Sequence, residues 1–422
     1  MGGGLADTVT IMHLADVHLG AGQSVAAEDA DAERLRSAVE RAFARAIDDA
    51  LTEAVQLVVI PGDLFDGAWA DYRVALRAAE QMARLHEAGI PCAIVRGNHD
   101  AESQISGRTP WPDNVKVFDH RKPETWELEN IGVAVHGQSF ARRDVTENLA
   151  IGYPEPVPGL INIGLLHTAL DGREGHSNYA PCRVDELVAR GYDYWALGHV
   201  HSFECVHEAP WIVYPGNLQG RHARELGPKG YVLARFCGGD CTIEHRCSDV
   251  LRWAECVVEI GRLPDLDAVF DAAIDAVAAE MEQADGRDLA VRLRLRGSGP
   301  AAAEAHRDLD ALREGLEIAL APLRTQSGVW LEKIKLERSS VEEPAVRMEE
   351  AAQVLEDFMQ DSAPELLPEL LQELEPMLRK LPARLARQAF DLDSEAWQAD
   401  FYQELETLLS EAARPARGEG AA

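Results

Sequence analysis

Five short turns carry the residues able to do chemistry: Asp16-Val17-His18, Gly62-Asp63, Gly97-Asn98-His99, Leu166-His167 and Gly198-His199-Val200-His201. Together they offer carboxylates, one amide oxygen and several imidazoles. That mixture suits Mn²⁺, Fe²⁺ or Zn²⁺ better than Ca²⁺ or Mg²⁺, which prefer all-oxygen surroundings. The donors outnumber what one ion needs, so the reading is a hydrolytic site for two divalent metal ions. Glycines before Asp63, Asn98 and His199 would let the backbone turn sharply beside the ions.

Each turn follows an apolar run with the look of a buried strand: Val9 to Leu14, Leu57 to Ile60, Cys92 to Val95, Leu160 to Leu166 and Tyr194 to Leu197. In α/β folds ligands gather beyond the carboxyl ends of strands, so the five turns should converge. Helical periodicity spans 31–54 and 71–88, and further strands are expected at 131–136, 205–207, 211–214 and 231–236. Residues 1–250 therefore read as an α/β domain, a sandwich of two sheets flanked by helices. Residues 251–340 read as a small α+β domain in β-α-β-α-β order, with helices at 266–281 and 301–320. Residues 341–422 read as an acidic helical tail broken by Pro364, Pro368, Pro376 and Pro382.

The chain has 422 residues and a hydrophobic content of 46%, enough for two or three domains. No apolar stretch approaches the roughly 18 residues of a membrane span, so no membrane partner is expected. The seven cysteines show no metal-binding or disulfide spacing, which fits a reducing cytoplasm. The net charge of -31 opposes unaided binding of a polyanion, although screening confines that repulsion to roughly 8 Å. Residues 341–422 hold 19 acidic and 7 basic side chains, a disproportionate share of the imbalance.

In order and spacing, the five turns resemble the calcineurin-like metallophosphoesterase superfamily. The resemblance implies one ion held by Asp16, His18, Asp63 and His201, and a second by Asp63, Asn98, His167 and His199. A bridging carboxylate can hold two cations about 3.5–4 Å apart and so activate water against phosphorus. It also implies that His99 lies over the scissile phosphate as a proton donor or charge stabiliser, work that suits a group titrating near neutrality. Asp100 would either orient that imidazole or cap a helix. Of the other histidines, His13 and His136 read as packed or structural, His86 and His120 as solvated, and His176 as a candidate substrate contact.

Gly62-Asp63-Leu64-Phe65-Asp66 lacks the arginine that follows this motif in protein phosphatases. With Ala15 to Gly20 it is similar to the DNA repair exonuclease branch that includes SbcD. Tyr214 to His222 and Glu225 to Gly230 resemble the YhaO type within it. The function implied is a two-metal DNA phosphodiesterase, an exonuclease with endonuclease activity alongside. Residues 251–340 would be its capping domain. The C-terminal helices would bind an SMC-like ATPase of the SbcC or YhaN type, and a homodimer is common in this branch. Arg221, Arg224, Lys229, Arg142 and Arg143 are candidate phosphate contacts, with solvated charges or local ion pairs as the competing reading for each. Two other functions stay open: a phosphodiesterase of small or cyclic nucleotides, and a non-catalytic binding subunit stabilised by metals.

Overall fold

The computed structural model describes residues 8–23, 29–67, 71–103, 105–172, 179–325 and 327–337. The expected partner-binding helices of the tail, and His176, lie outside the described residues. Strands β1 (Val9–His13), β2 (Leu57–Pro61), β3 (Cys92–Val95) and β4 (Val115–Val117) run parallel to one another. A second sheet contains β5 (Glu124–Leu128), β6 (Val133–Gly137), β7 (Ile161–His167), β8 (Tyr194–Gly198), β9 (Glu204–Glu208) and β10 (Trp211–Tyr214). Its order is β5-β6-β7-β8-β10-β9, with β6, β7, β8 and β10 parallel. The chain then returns to the first sheet with β11 (Gly230–Cys237) and β12 (Asp240–Cys247), giving the order β12-β11-β1-β2-β3-β4.

Side-chain alternation explains why the strand runs are apolar throughout. In β2, Leu57 and Val59 face the second sheet and pack with Ile163, Leu165 and Ala196. Val58 and Ile60 point the other way, onto Phe43, Ile47, Ala78 and Met82 of the covering helices. A strand buried on both faces has no polar position to spare. The sheets are thus stacked with the carboxyl ends of β1, β2 and β3 facing those of β7 and β8.

The helical stretch expected over 31–54 divides into Asp29–Arg36 and Ala38–Thr52. At the break, the Ser37 hydroxyl donates to the Glu33 carbonyl at 2.9 Å, the local competition that makes serine a poor helix-interior residue. The stretch over 301–320 likewise divides into Pro300–Arg307 and Leu309–Leu320, because the Asp308 carboxylate caps the amide of Ala311. Strands β4, β5 and β12 were not anticipated; β12 is polar and pairs along one side of β11.

Beyond residue 250 the chain builds a third, wholly parallel sheet of β13 (Leu251–Glu259), β14 (Asp288–Arg296) and β15 (Val329–Glu337). Helix Leu266–Gln283 and the two later helices bury their apolar faces on it, giving these residues a core of their own. Among the described residues, no helix is long and apolar enough to cross a membrane.

Candidate metal centre

The seven expected metal ligands lie where the carboxyl ends of the two sheets face each other. Asp16, His18, Asp63, His167 and His201 bring their ligand atoms together, Asn98 joins them beside His167, and His199 reaches the group through the contact of its ring with that of His167. Asp16 and His18 follow β1, Asp63 follows β2, Asn98 follows β3, His167 ends β7, and His199 and His201 follow β8. Three overlapping groups have ligand atoms all within 4.8 Å of one another: Asp16, His18 and His201; His18, Asp63 and His99; Asp16, Asp63 and His167. Asn98 Oδ1 lies 3.0 Å from His167 Nε2. The His199 ring lies against those of His167 and Tyr179, and its amide donates to both oxygens of Asp16.

The backbone is strained to achieve this. Asp16, His18, Asp63 and His199 all have positive φ, at 49°, 53°, 53° and 106°. Non-glycine residues rarely adopt such angles, and they concentrate where function requires them. The turns also approach too closely for side chains. A Cβ on Gly97 would stand 2.3 Å from Asp63 Oδ1, and one on Gly198 2.3 Å from the Pro61 carbonyl.

Three imidazoles have Nδ1 committed to an acceptor, which leaves Nε2 as the lone-pair atom. His18 Nδ1 meets Asp66 Oδ1 at 3.0 Å, His167 Nδ1 meets the Pro61 carbonyl at 3.0 Å, and His201 Nδ1 meets Glu225 Oε1 at 2.7 Å. Such partners fix the tautomer and aim of a metal-binding histidine. The Nε2 atoms of His18 and His201 stand 3.3 Å apart, and His167 Nε2 is 3.4 Å from Asp63 Oδ2. Burial holds all three rings neutral, pushing His167 down to about 3 and His18 and His201 below the ordinary range. Burial, and then the charge of Asp63, raises Asp16 well above a normal carboxylate. Neutral nitrogens beside two buried carboxylates that repel each other form a donor set short of positive charge. Two divalent cations fit it.

His99 stands at the edge of this set, 31% exposed, with Nδ1 3.3 Å from Asp66 Oδ1. The neighbouring Asp66 carboxylate raises its pKa against the opposing effect of burial. Asp100 does not take that role. Its carboxylate accepts the amides of Leu64, Phe65 and Gly97, latching the third turn to the second.

Two carboxylates of the site escaped the sequence reading. Asp66 serves His18, His99 and, at 3.5 Å, Arg221. Glu225 holds His201 and accepts the Arg221 amide at 2.7 Å. Both stand in quoted motifs, and that position was the available signal.

Relatives agree with the geometry. Residues 9–203 match the calcineurin-like phosphoesterase family, and residues 253–339 the family described as the middle domain of metallophosphoesterase YhaO. The uncharacterized metallophosphoesterase YhaO of Bacillus subtilis is 36% identical over 303 residues, 69% of this chain and 72% of that protein. The chain belongs to the calcineurin-like metallophosphoesterases. DNA double-strand break repair protein Mre11 of Sulfurisphaera tokodaii is 28% identical over 57% of this chain and 63% of its own length. The same-named protein of Haloferax volcanii is 26% identical over 73% of this chain and 66% of its own length. The chain thus spans less than two thirds of these two archaeal relatives.

Among the metallophosphoesterase's candidate phosphate contacts, only Arg221 lies in the centre, 15% exposed between Asp66 and Glu225. Lys229 is buried and donates to the His201 carbonyl at 2.6 Å, so it props the last turn and does not face solvent. Arg224 is exposed. Arg142 and Arg143 are exposed and paired with Glu147 and Glu102. His13 bonds Tyr194 and the Leu197 carbonyl, and His136 bonds Thr125 and Asn162, both as structural residues.

Proposed function

We propose that this metallophosphoesterase cleaves DNA phosphodiesters at a two-ion centre, with Mn²⁺ as its working metal and exonuclease action as its main mode. The observation that carries the reading is the sharing of Asp63: its carboxylate is 4.0 Å from His18 Nε2 on one side and 3.4 Å from His167 Nε2 on the other. Asp16, His18, Asp63 and His201 would hold one ion, and Asp63, Asn98, His167 and His199 the other. When bound, the ions would supply water activation and charge stabilisation at phosphorus.

The protein's own groups do the rest. Asp66 stands beside His99 Nδ1 and raises the imidazole pKa, which favours a proton on the ring, and Nε2–H would meet the departing oxygen. Arg221 offsets part of the charge of Asp66 and Glu225 and offers a cation at the site. Exposed Arg224 lies three residues along the same loop and extends the cationic side outward. DNA as substrate is supported by the Mre11 relatives and by the absence of a phosphatase-type arginine after Asp63.

The test compares wild type with His99→Ala, both loaded with Mn²⁺, on end-labelled linear DNA and on a chromogenic aryl phosphodiester. The reading expects DNA cleavage by wild type and a loss of about 10²- to 10⁴-fold in the variant. Hydrolysis of the small ester with intact DNA would contradict it.

A further inference from the structure

Glu225 stands in a loop whose two ends are held by one residue. The indole Nε1 of Trp253 donates to the Gly220 carbonyl at 3.0 Å, and the Trp253 carbonyl accepts the amide of Gly227 at 3.0 Å. Gln219 fastens the loop's entry. Its Oε1 accepts the amides of Val250 and Leu251 at 2.9 and 3.2 Å, and its Nε2 donates to the Leu251 carbonyl. The fit is tight: a Cβ on Gly220 would stand 3.0 Å from Trp253 Cδ1 and 2.8 Å from the Glu225 carbonyl.

Trp253 belongs to the third sheet. It is in register with Ala290 of β14, which is in register with Trp330 of β15. These three buried neighbours share one apolar cluster with Leu35, Ala38 and Ala223. Ala223 is in the loop itself. Two indoles flanking a small alanine across three strands thus make a cradle for the segment that carries Glu225.

We infer that the β13–β15 sheet is a structural part of the metal centre. Through Trp253 it sets Glu225, and through Glu225 the aim of His201. Displacing it weakens the ion held by Asp16, His18 and His201, and leaves the ion at Asn98, His167 and His199 in place. Trp253 is a positioning residue, acting through Glu225 and then His201. The inference rests on the two-ion reading above.

The test is a Mn²⁺ titration of the full chain, with free ion counted by electron paramagnetic resonance, for wild type, Glu225→Gln, Trp253→Phe and the double variant. Phenylalanine keeps an aromatic ring in the cluster but is smaller and cannot donate to Gly220 or Gln23, so circular dichroism and a urea midpoint of each variant separate a folded, displaced loop from unfolding. Loss of an outer partner weakens metal binding by roughly 10- to 100-fold, and Glu225→Gln should lose one of two ions by that factor. Trp253→Phe should lose the same ion by a smaller factor, and the double variant should be no worse than Glu225→Gln alone. Wild-type affinity for both ions in Trp253→Phe, equal weakening of both, or additive losses would overturn the inference while leaving the two-ion centre standing. Fewer than two ions on wild type would overturn both.

Discussion

The Nε2 atoms of His18 and His201 face each other across 3.3 Å, while each ring's Nδ1 is engaged by a carboxylate. A carboxylate at each Nδ1 favours the tautomer that leaves Nε2 without a proton. Two lone pairs at that separation repel, and a cation held by both would turn the repulsion into coordination. Asp66 and Glu225 thereby direct both imidazoles at one point.

Asp66 also governs the proton on His99. Its carboxylate raises the imidazole pKa, so a proton-donating His99 works below that raised value and fails as pH climbs through it. Asp66→Asn removes the charge and lowers the pKa. The alkaline limb of kcat should therefore move to lower pH, with the loss of activity concentrated on the alkaline side. A profile measured on the small phosphodiester checks this. An unmoved alkaline limb would remove His99 as the donor.

Gly97→Ala tests the packing. The backbone of Gly97, at φ -86° and ψ -163°, accepts any residue, so the substitution adds only a methyl group. That methyl would stand 2.3 Å from Asp63 Oδ1 and must displace the Asp63 carboxylate. Overpacking of this kind costs about 1–3 kcal/mol. The expected result is a folded protein, destabilised by that amount in urea, which binds Mn²⁺ poorly and has lost hydrolysis. Normal Mn²⁺ binding would show that Asp63 need not stay where it is.

The two loop arginines should behave differently. Arg221 is tied to Asp66 and Glu225, so Arg221→Ala should slow cleavage of DNA and of a small aryl ester alike. Exposed Arg224 touches only what reaches the surface. Arg224→Glu should raise KM for DNA several-fold, reduce its salt dependence by about one phosphate contact, and leave the small ester unchanged. Steady-state kinetics at two salt concentrations separates the outcomes. An equal effect of Arg224→Glu on both substrates would remove it from the DNA path.

How much of this was legible follows from the range of the interactions. Strands β1, β2, β3, β7 and β8 announced themselves because both faces are buried, so Leu57 to Ile60 is apolar without a break. The turns after them were legible because donors at strand ends have few other reasons to cluster. Asp66 and Glu225 were not, because their partners lie 48 and 24 residues away and only the folded chain brings them together. Asp100 shows the same limit: its three amide contacts include Leu64 and Phe65 on another turn. Among the cations, residue type alone could not separate exposed Arg224 from Lys229, whose ammonium is spent on a backbone carbonyl. The breaks at Ser37 and Asp308 were set by single side-chain hydrogen bonds that periodicity does not register.

The central claim is a pair of ions sharing Asp63. Crystals of the wild-type chain soaked in Mn²⁺, with diffraction recorded at the manganese absorption edge, test it most directly. The account predicts two anomalous peaks, one among Asp16, His18 and His201 and one among Asn98, His167 and His199, with the Asp63 carboxylate between them. A single peak, or two that leave Asp63 unligated, would contradict it.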